Sequence, residues 1–180
     1  DGTHGFAALD PAQPLTPTPY PVMAESANGL PGLTVQQPQN NYGAVNLIGG
    51  SPANFVLIGV VGATIGGGGA YGDSNSVSGN FDTIAGGAQN TAGAGGGYGA
   101  ATVGGGEANT ASGSASTVGG GDYNTASGSA STVAGGQLNL AAGYDATVGG
   151  GSGNISSNSD SFGGPTVGGG INNTASGRYA

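Results

Sequence analysis

The chain has 180 residues, of which 43 are glycine, while lysine and arginine together contribute one residue and aspartate and glutamate nine. A net charge of −8 with almost no basic side chains excludes nucleic-acid binding through phosphate neutralisation. The absence of cysteine excludes zinc–thiolate sites, disulfide frameworks and cysteine catalysis. So few charged side chains also argue against a charged active site, and we predict no enzymatic activity, no cofactor and no metal site.

Residues 1 to 32 are predicted to form an extended, proline-rich arm. The run PAQPLTPTPYP, from Pro11 to Pro21, favours polyproline II, which makes no internal hydrogen bonds. A flexible linker is the simpler interpretation. If the arm is ordered, contacts outside it must compensate the entropy cost, and we predict contact with a neighbouring subunit along a fibre axis. Its large apolar side chains, the predicted anchors, are Phe6, Leu9, Leu15 and Tyr20.

The rest of the chain, residues 33 to 180, is predicted to be one repeat domain. A Thr-Val/Ile-Gly/Ala-Gly marker recurs at steps of 15 or 19 residues, starting at Thr64, Thr83, Thr102, Thr117, Thr132, Thr147 and Thr166. Weaker copies at Thr34-Val35 and Leu47-Ile48 bring the candidate coils to nine, with the clear repeats between residues 64 and 180. The four extra residues of the long copies are assigned to Gly66–Gly69, Ala94–Tyr98 and the stretch around Ser157–Ser161.

A second marker fixes the inner register of each repeat. An asparagine follows the threonine by seven residues in most copies, at Asn90, Asn109, Asn124, Asn139, Asn154 and Asn173. We predict that these residues form a ladder of turn asparagines in the left-handed conformation. The glycine pair after each Val or Ile is predicted to supply positive φ angles for another turn.

Fifteen residues are too few for a helical hairpin but accommodate two short strands with tight turns. Stacking the repeats in a parallel sheet places each residue over its own copy, which predicts an all-β parallel β-solenoid. One β-branched residue per coil is the predicted core: Ile65, Ile84, Val103, Val118, Val133, Val148 and Val167. Because this core is one aliphatic residue wide, we predict that several chains associate side by side, most simply three around an axis.

The units NTASGSASTVGGGDYNTASGSASTVAGG resemble the head repeats of trimeric autotransporter adhesins, the YadA-like left-handed parallel β-roll. The resemblance covers roughly residues 64 to 180. It implies a homotrimer with one coil per repeat, an extracellular or cell-surface location, and a role in holding host or matrix surfaces. The unit here is 15 or 19 residues and richer in glycine, and the chain has no heptad stalk, so the route of secretion and anchoring does not carry over.

We therefore expect a structural or adhesive extracellular protein, a stiff trimeric fibre or adhesin head, with filament growth through the N-terminal arm. Ice binding through the threonine column is the alternative function. A polysaccharide-cleaving β-helix enzyme would need paired carboxylates, and Glu107 and Asp122 do occupy equivalent places. They are interpreted as solvated turn residues, because no basic side chain accompanies them. The most apolar stretch, Phe55–Ile65, is interrupted by glycine, and no membrane span is predicted.

The chain begins at Asp1 rather than methionine, and we expect a mature chain or a segment of a longer one. His4 is the one histidine and lacks a second ligand nearby in sequence, so metal ligation by it is not predicted. The GGGDYN and GGGSGN segments do not match a calcium-binding nonapeptide, which requires aspartate at a nine-residue period.

Overall fold

A computed structural model describes residues 30–37, 43–93, 99–158 and 163–177. These residues contain strands, turns and bends but no helix. Glycine destabilises a helix by about 1 kcal/mol per residue relative to alanine, and most coils carry two or three glycines in a row. The sequence therefore folds into short strands separated by turns.

The strands form two sheets. The first sheet, in spatial order, contains β1 (Leu33–Gln36), β2 (Asn46–Gly49), β4 (Thr64–Ile65), β6 (Thr83–Ile84), β8 (Thr102–Val103), β10 (Thr117–Val118), β12 (Thr132–Val133), β14 (Thr147–Val148) and β16 (Thr166–Val167). The second contains β3 (Phe55–Val56), β5 (Ser76–Val77), β7 (Thr91–Ala92), β9 (Thr110–Ala111), β11 (Thr125–Ala126), β13 (Leu140–Ala141), β15 (Ile155–Ser156) and β17 (Thr174–Ala175).

From β2 onward, the chain alternates between the sheets, and each strand pairs in parallel with the strand one coil later. Thr117 pairs with Thr132 and Val118 with Val133, so identical residues lie directly over one another. This arrangement confirms the predicted all-β parallel β-solenoid, with about eight coils. At about 4.8 Å per coil the described rod is about 35–40 Å long.

The core is a narrow column between the two sheets. The seven Val and Ile residues predicted to point inward are fully buried, except Val167 in the last coil, which is 6% exposed. Opposite them lie small residues of the second sheet, including Ala92, Ala111, Ala126 and Ala141. Each coil therefore buries little apolar volume, and regular hydrogen bonding between coils carries much of the stability.

The candidate coil at Thr34-Val35 is wrong. Strand β1 pairs with β2 in the antiparallel sense, with Leu33 opposite Gly49 and Gln36 opposite Asn46. Gln36 is followed by glutamine and proline instead of the glycines that turn the chain in the true coils. This segment therefore lies backwards along the first coil and covers the N-terminal edge of the first sheet.

The extra residues of the first long repeat also differ from the sequence assignment. Gly68 lines up with Gly87 of the next coil, and the additional residues are Ala70–Asp73, a tight turn closed by hydrogen bonds between those two residues. Tyr71 at its tip is fully exposed. The insertions assigned to Ala94–Tyr98 and around Ser157–Ser161 lie wholly or largely outside the described residues.

Candidate functional surfaces

The asparagine ladder is the most regular polar feature of the rod and consists of Asn54, Asn75, Asn90, Asn109, Asn124, Asn139, Asn154 and Asn173. All but the last are buried. The Oδ1 of Asn124 accepts the backbone N–H of Asn139 in the next coil at 3.0 Å. Its Nδ2 donates to the carbonyl of Gly120 at 3.0 Å and to that of Gly136 at 2.8 Å. Each amide thus joins the turn of its own coil to the following coil.

The predicted left-handed conformation falls one residue earlier than expected. The asparagines of the ladder are not in that region. The residues before them are, with φ between 53° and 57° at Gln89, Ala108, Tyr123, Leu138 and Asn172. The asparagine side chain is used for hydrogen bonding inside the rod instead. The last glycine of each run does take a positive φ, for example 88° at Gly121, in agreement with the predicted role of the glycines.

The threonine column lies on the outer face of the first sheet. Thr64, Thr83, Thr102, Thr117, Thr132 and Thr147 are half-buried, and Thr166 is exposed. Two residues further on, that face carries Gly or Ala. The second sheet carries Thr and Ser two residues apart at Thr110/Ser112 and Thr125/Ser127, but Leu140 and Ile155 interrupt its threonine column.

Glu107 and Asp122 lie in adjacent coils, where they form an isolated parallel bridge. Both are exposed, and the same column continues with Gln137, Ser152 and Ile171. The described residues contain no group of three or more His, Cys, Asp or Glu side chains that could hold a metal ion.

A buried carboxylate was missed by the sequence analysis. Asp82 precedes Thr83 in a column where other coils have Ala63, Ala101, Ser116 or Ser131, and it is fully buried. Its Oδ1 accepts the N–H of Ala101 at 2.7 Å, while its Oδ2 has no hydrogen-bond partner among the described residues. Burial raises the pKa of Asp82 above its ordinary value of 3.8, against the opposing effects of the backbone N–H groups of Ala101 and Gly79. In the sequence, the available signal for this buried carboxylate is an aspartate at a repeat position where the other coils have Ala or Ser.

An apolar strip crosses three successive coils and consists of the exposed Tyr123, Leu138 and Ile155 and the half-buried Leu140. Tyr123 and Leu138 are 53% and 58% exposed. Leu138 and Leu140 flank the inward-pointing Asn139, and Leu140 pairs with Ile155 of the next coil. The strip is therefore continuous along the outer side of the second sheet.

The N-terminal end of the rod has a second apolar region. Phe55, Leu57 and Ile58 are exposed next to β3. A cleft of about 460 Å³ opens beside them, lined among others by Leu30, Ile48, Pro52 and Asn54. The predicted arm anchors Phe6, Leu9, Leu15 and Tyr20 lie outside the described residues, as does His4.

Comparison with family models, curated protein sequences and solved structures gave no match to this chain. The likeness to trimeric autotransporter heads thus remains a resemblance of repeat motifs. Among the described residues, no helix is long and apolar enough to cross a membrane.

Proposed function

We propose that the protein is a structural or adhesive extracellular component, the shaft or head of a trimeric surface fibre. The observation that carries the proposal is the unbroken register of the Thr, Val and Asn columns from coil to coil. A translational repeat held by hydrogen bonds in every coil makes a stiff rod. The stiffness that the repeats give to the rod is itself the proposed function. Binding to host or matrix surfaces would use the outer faces of the rod.

The exposed apolar strip supports association into a trimer. Monomeric proteins rarely expose a continuous apolar surface without a partner for it. Three copies that run in the same direction would bring three equivalent strips together at the same height along the axis. Burial of each such side chain contributes about 1.5–3 kcal/mol, which adds an intermolecular core to the thin core of each chain.

Sedimentation velocity at micromolar concentration tests the trimer. The expected mass is three times the 16.7 kDa of one chain. The double variant Leu140→Thr/Ile155→Thr restores the threonine found in the preceding coil, so it should keep the solenoid fold but sediment as a monomer. Thr132→Ser, on the opposite sheet, is the control and should remain trimeric. A monomeric unaltered protein would contradict the proposal.

Ice binding is the second candidate function, because seven threonines repeat in one register on a regular sheet. The Gly or Ala two residues beyond each threonine leaves that face with a single hydroxyl column. Thermal hysteresis of the purified protein decides between the two: measurable hysteresis that is lost in Thr117→Val/Thr132→Val would favour ice binding.

A further inference from the structure

The two sheets end differently at the N-terminal end of the rod. The antiparallel strand β1 covers the edge of the first sheet. The second sheet ends at β3, whose outer edge is paired with no described strand. An open sheet edge presents backbone N–H and C=O groups that favour the addition of another strand. The second sheet is therefore the part of this end that can accept one.

The hydrogen bonds inside the second sheet define what the edge of β3 offers. The N–H groups of Phe55 and Leu57 donate to carbonyls of the next coil. Since successive N–H groups of a strand point to opposite edges, the N–H of Val56 faces the open side. The carbonyls of Asn54 and Val56 face the same side, because the equivalent carbonyls of later coils accept bonds from the preceding coil. An added strand would satisfy all three groups.

The apolar core is also open beside this edge. Ile48 continues the core column of Ile65 into the first coil, but it is half-buried, whereas Ile65 is fully buried. The cleft of about 460 Å³ lies against Ile48 and is also lined by Leu30 and Pro52. In an added strand, the residue opposite Val56 would point inward as Val56 does. An aliphatic side chain at that position would cover this end of the core.

The outer side of β3 is apolar as well. Phe55 and Leu57 are 48% and 47% exposed. In the next coil the same columns carry Ser76 and Ser78. Residues 43–69, which include β2, β3 and β4, contain no charged side chain. A charged residue in an added strand would lose water there without meeting an opposite charge. The edge therefore favours an uncharged segment with apolar residues at consecutive positions.

Strand β1 restricts what can bind at this end. From β2 onward each coil contributes one strand to each sheet, so the end coil of a second copy would need a place beside β2 as well as beside β3. The place beside β2 is taken by Leu33–Gln36 of β1. A single extended segment needs only the place beside β3. The end of the rod thus accommodates one strand and excludes another solenoid end.

We propose that the edge of β3 is a binding site for an extended, uncharged peptide segment of a partner protein, which adds to the second sheet as one further strand. The segment places a small aliphatic side chain against Ile48 and packs the flanking side chains on Phe55 and Leu57. Because this edge faces along the rod, the site stays accessible in a trimer of parallel rods. The inference does not depend on the trimer, and it uses the end of the rod instead of the sides to which the adhesive role is assigned.

A fluorescein-labelled peptide with blocked ends, Ser-Thr-Phe-Val-Leu-Thr-Ser, tests the site on the full-length chain by fluorescence polarisation. Saturable binding is expected, because the peptide is uncharged and has apolar residues at consecutive positions. The same peptide with N-methyl groups on its three central residues lacks their backbone donors, and it should bind at least about tenfold more weakly. No saturable binding up to about 1 mM peptide, or equal binding of the two peptides, would overturn the proposal.

Two altered proteins test the two kinds of contact. Val56→Pro removes the N–H that faces the open edge and keeps the donors of the ladder to the next coil. Phe55→Ser/Leu57→Ser introduces the serines of the next coil and should keep the fold. Each should weaken binding of the unmethylated peptide by about tenfold.

Ile155→Thr is the matched control, because it removes an exposed apolar side chain from the same column of the second sheet, six coils away from β3. It should bind the peptide as the unaltered protein does, whether or not it remains a trimer. Unchanged binding in both altered proteins, or an equal loss in the control, would overturn the proposal.

Hydrogen exchange locates the bound strand and identifies its source. The Val56 amide should exchange rapidly in the unaltered protein and slow by about tenfold or more when the peptide saturates it. The Val77 amide, which lies inside the sheet, should not change. Strong protection of Val56 without the peptide would assign the edge to this chain or to a second copy, and it would overturn the proposal.

Discussion

Each buried asparagine of the ladder uses its side-chain amide to satisfy backbone groups of its own coil and of a neighbouring coil. Asn124 accepts one backbone N–H from the next coil and donates to two glycine carbonyls, so its amide replaces three hydrogen bonds of a tight turn. A buried polar group without a partner costs about 1–3 kcal/mol. The ladder therefore makes a glycine-rich turn stable at a place where an apolar side chain would leave the backbone unpaired.

Asn124→Ala is expected to lower the free energy of unfolding by about 2–4 kcal/mol, because it leaves the N–H of Asn139 and two carbonyls without a partner. Urea unfolding followed by circular dichroism measures the change. Gln137→Ala, at an exposed position of the next coil, is the control and should change stability by less than about 0.5 kcal/mol. Equal effects of the two substitutions would contradict the role of the ladder.

Gly135 and Gly136 belong to the same turn but have different surroundings. Gly136 has a φ of 91°, and a Cβ there would collide with the carbonyl oxygen of Gly151, whereas a Cβ at Gly135 would meet nothing closer than 3.9 Å. Gly136→Ala should therefore destabilise the protein by several kcal/mol or prevent folding, while Gly135→Ala should be tolerated. Thermal unfolding of the two variants gives the comparison. A tolerated alanine at position 136 would show that the close packing of coils is wrong.

Asp82 should make stability depend on pH. Its pKa is raised in the folded state by burial, so the unfolded chain loses this proton first as the pH rises. The free energy of unfolding should then fall as the pH rises from about 4 through the folded-state pKa, and stay lower above it. Asp82→Asn should remove this decrease and be more stable at pH 7, since Asn46 at the equivalent position bonds through both amide atoms.

Urea unfolding between pH 3.5 and 7 measures this effect. Asp122→Asn removes the same charge at an exposed position and should retain the decrease with rising pH. An unaltered protein whose stability does not fall over this range, or an Asp82→Asn variant that is less stable at pH 7, would disprove the assignment.

At the scale of the coil, the repeat spacing predicted most of the fold. A parallel register follows from a fixed period, because only stacking of like residues keeps every Val inside and every Thr outside. The failures have local causes. Thr34-Val35 matches two residues of the marker but is not followed by the glycines that turn the chain. In the first long repeat, the glycine run Gly66–Gly69 was taken for the inserted residues, whereas the insertion begins at Ala70.

Two features of the candidate surfaces could not be predicted from the sequence. A turn asparagine and an asparagine whose amide is buried have the same spacing, so the burial of the ladder required the three-dimensional turn. The apolar strip combines Tyr123 and Leu138 with Leu140 and Ile155, residues from two columns that adjoin only after the coils are stacked.

Deletion of one complete coil tests the stacking directly. Removal of residues 117–131 joins Ser116 to Thr132 and keeps every column in register, so the shortened protein should fold as a rod about 4.8 Å shorter. Removal of residues 117–128 shifts the Val and Asn columns and should prevent cooperative folding of the following coils. Circular dichroism and small-angle scattering distinguish the results. Similar folding of both deletions would contradict the fixed register.

At the scale of the whole molecule, the proposed trimer has to bring together copies of a chain whose net charge is −8, so we expect contact through an uncharged side of the rod. The apolar strip provides such a side, although Asp122 borders it next to Tyr123. In the proposed trimer, parallel association around an axis would bury the strip of each copy and leave the threonine column of the first sheet on the outside. Such an assembly would be thicker and stiffer than one rod without any change in the coils.

Electron cryo-microscopy of the purified full-length protein tests this central proposal most directly. The account predicts particles with three-fold symmetry, in which three solenoids run in the same direction, with coils about 4.8 Å apart and Leu138, Leu140 and Ile155 facing the axis. Single rods with the strip exposed to solvent, or copies joined through the threonine face, would contradict it.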